Sequence, residues 1–323
     1  MSTAVQPERI LKELAGLWAG MSKAEAQGNN SGVLRSCAMT LVVAAESDED
    51  ALKVSETLAE LMHEHPSRAI VLRPSTQPGV MEARVFAQCW MPFGKRQQIC
   101  CEQIEITASQ DRLDEVPVVI LGIMAPDLPV VLWARGREWL GAPAFQKVLP
   151  LVQKVIIDSA TLGDPSRAFT LMRTLQLQAS YVGDLAWTRL TRLRQAIANA
   201  FEDAGVLGQV EQVREIRVDH TDHPISAAYL AGWLLNAAPK AHAILSTQAS
   251  DVARISISGP DLNVVVEVAK TVRIQINGHS TVAVLPAFAD CDLMREELSI
   301  LEVDPVYAAS FDAAQEIVKG AGG

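Results

Sequence analysis

Two apolar runs on either side of one amphipathic helix constrain the fold of this chain more than any other feature. Residues 37 to 45 (CAMTLVVAA) and 68 to 74 (RAIVLRP) have the composition of buried strands. Residues 48 to 64 between them form a predicted helix, which Ser47 and Asp50 open with a capping box and which ends at His65-Pro66. This succession predicts a β-α-β unit.

The segment from residue 81 to residue 160 extends this unit into a mixed sheet. Residues 81 to 90 and 97 to 107 are apolar at every second position, and turn-like Pro92-Phe93-Gly94 joins them, which predicts an antiparallel hairpin. Residues 128 to 136 and 154 to 160 are predicted strands. The run VPVVILGIMA (116 to 125) is either a strand or a buried helix, because a short all-apolar run has no diagnostic period.

Beyond residue 160 the pattern changes first to helices and then to antiparallel strands. A helix is predicted behind Pro224, and Asn277-Gly278 is a hairpin signal between the last two strand-like runs. The predicted fold class is α/β (α+β), with an N-terminal mixed-sheet α/β domain, a helical segment and a C-terminal antiparallel β-meander domain. The predicted domains are residues 1–36 (an amphipathic helix and a linker), 37–160 (the α/β domain) and 161–323 (the helical and antiparallel-sheet domain). The first helix is expected to dock either on its own body or on another subunit.

Charge and cysteine content narrow the compartment and the classes of partner. The formal net charge of −10 disfavours nucleic acid and anionic lipid as partners. The sequence has no uninterrupted tract of eighteen apolar residues, so no membrane span is predicted. Charged residues near the N-terminus argue against a signal peptide, so the cytoplasm is the expected location. Five cysteines without C-x-x-C spacing predict reduced thiols rather than a disulfide framework.

The sequence carries no motif that is typical of a common enzyme class. It lacks the glycine signatures of dinucleotide and phosphate loops and the G-x-S-x-G nucleophile elbow. We therefore expect no catalytic residue, no cofactor and no metal.

Three other groups of residues could form sites, and we interpret each of them as structural. Asp219, His220, Asp222 and His223 could form a metal site, but we interpret them as a polar loop. Asp127 is interpreted as a turn former. Cys100 and Cys101 lie side by side in an alternating strand, so one of the two is expected to be exposed.

The richest polar cluster is GDLAWTRLTRLRQAIANAF (183 to 201), which combines arginines with a tryptophan in an acidic chain. Arginine and tryptophan together are typical of interface anchors. Two local structures remain open. In a continuous helix, Leu190, Leu193, Ile197 and Phe201 form the buried stripe and Arg194 lies beside Trp187. If Thr191 is instead the N-cap, residues 187 to 190 form a loop that presents Trp187 and Arg189.

At this cluster the chain resembles the glucose-6-phosphate dehydrogenase assembly protein family, known as OpcA. The family pattern is D-L-N-W-A-R-L-T-P-W-R. Its matching positions here are Asp184, Leu185, Trp187, Arg189, Leu190, Thr191 and Arg194. Residues 65–72, 99–106, 126–136 and 155–160 are also similar to the family, in the family's order. The chain departs from the pattern at Ala186, Thr188, Arg192 and Leu193.

The resemblance implies a non-catalytic assembly or regulatory partner of glucose-6-phosphate dehydrogenase in the oxidative pentose phosphate pathway. It implies that Trp187, Arg189, Thr191 and Arg194 contribute to recognition of that enzyme. The residues themselves leave two other functions open. One is an effector module in which Arg189 and Arg194 clamp a sugar phosphate or nucleotide, and the other is a hydrolase of unfamiliar type.

Overall fold

The predicted β-α-β unit lies at the centre of an eight-stranded sheet in a computed structural model that describes residues 5–26, 33–92, 98–203, 206–250 and 252–321. The strands of the chain are β1 (Val33–Arg35), β2 (Met39–Ala44), β3 (Ser67–Ser75), β4 (Met81–Trp90), β5 (Gln98–Ser109), β6 (Val130–Ala134), β7 (Lys154–Ile157), β8 (Tyr181–Asp184), β9 (Glu215–His220), β10 (His242–Thr247), β11 (Ala253–Ser258), β12 (Asn263–Val268), β13 (Val272–Ile276) and β14 (His279–Ala283).

The helices of the described residues begin and end as follows: α1 (Pro7–Ala26), α2 (Asp48–Leu61), α3 (Val116–Ile123), α4 (Arg137–Gly141), α5 (Pro143–Val148), α6 (Pro165–Gln176), α7 (Leu185–Thr188), α8 (Thr191–Asp203), α9 (Pro224–Ala237), α10 (Asp290–Ser299) and α11 (Pro305–Ala321). The capping box predicted for α2 is half confirmed. The Ser47 side chain accepts from the Asp50 amide, but Asp50 in turn accepts from the amide of Glu46.

The first sheet has the strand order β1-β5-β3-β2-β6-β7-β8, and β4 pairs with β5 outside this path. Strands β2, β3, β5 and β6 run parallel to one another, whereas β4 runs antiparallel to β5 and forms the predicted hairpin with it. The hairpin turn predicted at Pro92-Phe93-Gly94 lies partly outside the described residues. Every residue of β2 is buried, so both faces of the sheet are covered at its centre. The mixed-sheet α/β class is therefore confirmed.

Two expectations about the cysteines are wrong. Cys100 and Cys101 are both buried, with exposed fractions of 0% and 4%, because the sheet is covered on both faces where they lie. Cys89 and Cys100 face each other directly in the β4–β5 register and form a disulfide. The number and spacing of the cysteines could not predict this disulfide, because it depends on which residues of β4 and β5 lie opposite each other.

The run 116 to 125, which the sequence left open, forms helix α3 over Val116–Ile123. Helix α1 docks on its own body, because the indole N–H of Trp18 donates to Oε1 of Glu102 over 2.6 Å. Glu102 is buried in β5 and also pairs with Arg35 and Arg68 at 2.7 and 2.6 Å. The helix continues to Ala26.

The second sheet has the order β10-β9-β11-β12-β13-β14. Strands β11 to β14 form the predicted antiparallel meander, with Asn277 and Gly278 at positive φ in the last hairpin. Strand β10 runs parallel to β9, and no prediction covered β8, β10 or helix α10.

The chain divides into two compact units that differ from the three contiguous domains predicted. The first unit comprises residues 1–157, 174–183 and 290–301, and the second comprises residues 158–173, 184–289 and 302–323. The predicted first segment, 1–36, is part of the first unit. Among the described helices, none is both long enough and apolar enough to cross a bilayer.

Candidate functional site

Two arginines, Arg189 just before helix α8 and Arg194 in its first turn, form what we call the arginine corner. The chain reaches it from β8 through the single turn of α7, which ends at Thr188. Helix α8 then begins at Thr191, so of the two local structures left open the continuous helix is not formed, because it is interrupted at Arg189 and Leu190. The predicted buried stripe is confirmed, since Leu190, Leu193, Ile197 and Phe201 are all buried.

A buried carboxylate, Asp184, fixes the approach to this corner. Its Oδ1 accepts from the backbone amides of Ser159 and Ala186, both over 3.0 Å. Its Oδ2 accepts from the Ser159 hydroxyl over 2.5 Å and from the Tyr229 hydroxyl over 2.7 Å. Complete burial raises the pKa of Asp184 to about 6, although the hydrogen bonds from Ser159, Tyr229 and Ala186 act in the opposite direction. Asp184 thus ties the first turn of α7 to the 158–162 turn and to helix α9.

Trp187 lies in the core and not on the surface, with 4% of its area exposed. Its ring centroid is 5.7 Å from those of Tyr229 and Tyr307, and the guanidinium carbon of Arg194 lies 3.4 Å from the ring centroid. The version of the site in which a loop presents Trp187 is therefore wrong. The indole instead supports Arg194 from beneath by a cation–π contact.

Of the four predicted recognition residues, the structure brings Arg189, Thr191 and Arg194 to one corner. Arg189 is exposed and pairs through both terminal nitrogens with the two carboxylate oxygens of Asp158. Arg194 donates to the Thr191 hydroxyl over 3.2 Å. Arg192 takes a different direction, donating to the Pro286 carbonyl over 2.9 Å with its guanidinium 3.9 Å from the Phe288 ring centroid.

Sequence reasoning missed Tyr229 and Ser159 as supports of this corner. Tyr229 is fully buried in an apolar helix, and burial followed by the nearby charge of Asp184 raises its pKa well above the ordinary value. A tyrosine hydroxyl in a mostly apolar helix is the signal that was available, because such a hydroxyl needs a buried partner.

The other residues singled out from the sequence have structural surroundings. Asp219 accepts a hydrogen bond from Ser246, and His220 is buried at the end of β9. Within the described part of the chain, no group of three or more His, Cys, Asp or Glu side chains is arranged to hold a metal. Asp127 has φ 60° and lies in an exposed turn.

The first sheet also has a crevice at the carboxyl ends of its strands. If β1 and β4 are set aside, the strand order is β5-β3-β2-β6-β7-β8. From β2 the chain adds strands β3 and β5 on one side and strands β6, β7 and β8 on the other, so the direction of strand addition changes between β2 and β6. Open α/β sheets bind ligands at such a switch point. A cleft of about 1400 Å³ is found at the carboxyl ends of β2, β3, β5 and β6, and Glu46, Ser47, Asp48 and Asp111 are among its lining residues.

The loop after β2 has the wrong chemistry for a dinucleotide. It reads Ala45-Glu46-Ser47-Asp48-Glu49-Asp50, without the glycines that let a pyrophosphate approach a helix N-terminus. The Ser47 side chain of this loop already caps α2. Both carboxylate oxygens of Asp50 accept from Nε of Arg135, Oδ1 over 2.8 Å and Oδ2 over 2.9 Å. A phosphate here would meet carboxylates rather than free amides.

Comparison with solved structures supports this fold. An NAD-binding oxidoreductase from Klebsiella pneumoniae superposes with a TM-score of 0.51 at 8% sequence identity, covering 87% of this chain and 95% of that protein. At this identity the likeness concerns the fold alone.

Comparison of sequences identifies the family. The OxPP cycle protein OpcA of Synechocystis sp. is 26% identical over 212 residues, which are 64% of this chain and 43% of that protein. The OpcA of Synechococcus elongatus is 26% identical over 174 residues, 53% of this chain and 39% of that protein. The chain thus spans about two fifths of the length of the curated relatives it matches.

Two family models together match most of the chain. The glucose-6-phosphate dehydrogenase subunit N-terminal domain matches residues 58–174, and the corresponding C-terminal domain matches residues 180–311, which include the whole arginine corner. On these matches, the chain belongs to the OpcA family of glucose-6-phosphate dehydrogenase subunits.

Proposed function

We propose that this chain is a non-catalytic assembly and regulatory partner of glucose-6-phosphate dehydrogenase in the oxidative pentose phosphate pathway, acting in the cytoplasm. The observation that carries the proposal is the arginine corner, which presents guanidinium groups on a rigid support within a domain matched as part of a dehydrogenase subunit. The names of the relatives support the same pathway.

The crevice of the first unit supports a binding role over an oxidoreductase role. Its fold is that of a dinucleotide-binding protein, but Glu46, Asp48 and Asp50 stand where the loop would have to receive phosphates. Negative charge at this helix N-terminus is stabilised by the helix dipole and competes with any anionic ligand.

The corner suits recognition of carboxylates on a protein surface. A guanidinium donates in a planar fork that matches a carboxylate, and a fork that is already held loses less side-chain entropy on binding. Arg194 is held between Trp187 and Thr191, and Arg189 is held by Asp158. Because Asp158 already occupies the Arg189 fork, a carboxylate of the dehydrogenase has to share or replace that contact.

This chain would regulate the dehydrogenase if two conformations or oligomeric states of that enzyme bound it with different affinities. A ligand shifts an equilibrium only by the ratio of its affinities for the two states. This chain would then favour the assembled or active state of the enzyme without taking part in the reaction.

The test is to mix the purified chain with the dehydrogenase of the same organism, and to follow both size-exclusion elution and initial rates. We expect a complex and a changed rate curve or oligomer distribution. Unchanged elution and kinetics over a wide concentration range would contradict the proposal. Turnover by the chain alone would instead support an enzyme, and thermal stabilisation by glucose 6-phosphate, 6-phosphogluconate or NADPH would support an effector module.

A further inference from the structure

The six-stranded sheet of the second unit has one covered face and one open face. The covered face carries the buried residues Ile216, Val218, Ile255, Ile257, Val264, Val266, Val272, Ile274 and Ile276. The alternate residues of the same strands point to the opposite face, where Arg254 and Arg273 are exposed and Asp219 and Glu267 are half-buried.

Four charged side chains cross the open face in one row. In the strand register, Asp219 of β9 lies opposite Arg254 of β11, Arg254 lies opposite Glu267 of β12, and Glu267 lies opposite Arg273 of β13. The charges along the row alternate as minus, plus, minus, plus. Within one chain, Arg254 and Glu267 form an ion pair at 2.7 Å.

The row is centred on the midline of the sheet. Three strands (β10, β9, β11) lie on one side of the line between β11 and β12, and three (β12, β13, β14) lie on the other. A two-fold axis along this line, parallel to the strands and between two stacked sheets, places β11 over β12 and β9 over β13 of a second copy. All six strands then overlap.

This operation also reverses the row, so that every charge meets its opposite. Asp219 faces Arg273 of the second copy, and Arg254 faces Glu267 of the second copy. A two-fold axis perpendicular to the strands would not reverse the order and would leave like charges in the same columns. Surfaces of symmetric dimers must be self-complementary in this way, and sheets stacked about 10 Å apart are within joint reach of arginine and carboxylate side chains.

We propose that the open face of the second sheet is a homodimer interface, occupied by a second copy of this chain through the row Asp219, Arg254, Glu267 and Arg273. The pairing of Asp219 with Arg273 exists only between copies, because β11 and β12 separate these two residues within one chain. This pair therefore reports on the dimer independently of the cross-strand contacts that stabilise the sheet.

The test uses the full chain and two charge reversals, Asp219→Arg and Arg273→Asp. Each variant alone would set two pairs of like charges against each other in the dimer. Because like charges face to face oppose association, we expect dimerisation at least about tenfold weaker. A mixture of the two variants restores both opposite-charge pairs in a heterodimer. Analytical ultracentrifugation should then show monomers for each variant and a species of twice the 34.9 kDa chain mass for wild type and for the mixture.

Matched controls carry the same charge changes at exposed positions outside the six strands. Asp222→Arg lies in the loop after β9 and Arg167→Asp lies on the exposed side of α6, and both should dimerise like wild type. Raising the salt concentration should shift the wild type towards monomer, because exposed ion pairs are screened. A wild type that stays monomeric up to its solubility limit, variants that dimerise alone as well as wild type does, or a mixture that fails to recover would each overturn the proposal.

Discussion

Tyr229 donates its hydroxyl to Oδ2 of Asp184 over 2.7 Å, and both side chains are completely buried. The contact joins helix α9 to the residue that caps α7, the turn that leads into the arginine corner. A carboxylate in this setting couples protonation to folding, because its pKa is about 6 in the folded chain.

The first prediction concerns the pH dependence of stability. A raised folded-state pKa means that the contribution of Asp184 is fully present below its unfolded value of 3.8 and is lost as pH rises through about 6. The free energy of unfolding of the wild type, minus that of Asp184→Asn, should therefore fall between about pH 4 and pH 6 by on the order of 2–3 kcal/mol. Urea denaturation at several pH values measures this difference.

Tyr229→Phe provides the second arm of this experiment. The Tyr229 hydrogen bond lowers the pKa of Asp184, so its removal should move the transition to higher pH. If the wild type and Asp184→Asn have parallel pH profiles between pH 4 and pH 6, the titrating group is not Asp184.

The second prediction concerns recognition of the dehydrogenase by Arg189. If Arg189 anchors the interface, Arg189→Ala should weaken the complex by roughly 2 kcal/mol, about thirtyfold, whereas an exposed spectator changes it by well under 1 kcal/mol. Arg192→Ala is the matched control, because Arg192 turns away to Pro286 and Phe288. Titration should be accompanied by a melting curve, and unchanged affinity of a normally melting Arg189→Ala variant would remove Arg189 from the site.

The third prediction concerns Gly183, which precedes Asp184. A Cβ at this position would lie 2.2 Å from Oε2 of Glu297 and 2.9 Å from Cε of Lys154. These two side chains form a buried ion pair at 2.6 Å, and forcing extra volume into closely packed surroundings typically costs about 1–3 kcal/mol. Gly183→Ala should therefore lower the free energy of unfolding by about 1–3 kcal/mol. Gly141→Ala, with no atom near its Cβ, should change it by less than about 1 kcal/mol. Equal stability of the two variants would show that the pair moves aside without cost.

The fourth prediction concerns the disulfide between Cys89 and Cys100. It closes a short loop, for which the chain-entropy relation gives about 3 kcal/mol of stabilisation. Adding a reductant should lower the Tm of the wild type but leave that of Cys89→Ser unchanged, and Cys37→Ser should respond as the wild type does. Mass spectrometry without reduction should recover residues 89 and 100 in linked peptides. Identical melting of the wild type with and without reductant, once reduction is verified, would contradict the prediction.

Local periodicity explains which parts of the fold the sequence could predict. The unit from β2 to β3 and the β4–β5 hairpin each have their signal within one short window of residues. Strand β8 has four residues, and α10 is polar at most positions, so neither has a clear period. The burial of Cys101 and the pairing of Cys89 with Cys100 depend on what covers and adjoins the strand, which no single window contains.

The candidate site shows the same limit. The arginines could be found because their spacing matches a family pattern, and the stripe from Leu190 to Phe201 follows helical periodicity. The position of Trp187 could not, since it depends on Tyr229 and Tyr307, which approach only in the folded second unit. The sequence motif around Trp187 is therefore the same whether the tryptophan is exposed or buried.

The composition of the first unit from separated segments has a consequence for synthesis on the ribosome. Lys154, at the edge of the nascent sheet, meets the Glu297 carbonyl only after a sequence separation of 143 residues. At about 5–20 residues per second, translation delays that contact by on the order of 10 s. Until then, the first 157 residues leave the ribosome without β8 and α10, so they are the stretch of nascent chain where chaperones would be expected to bind.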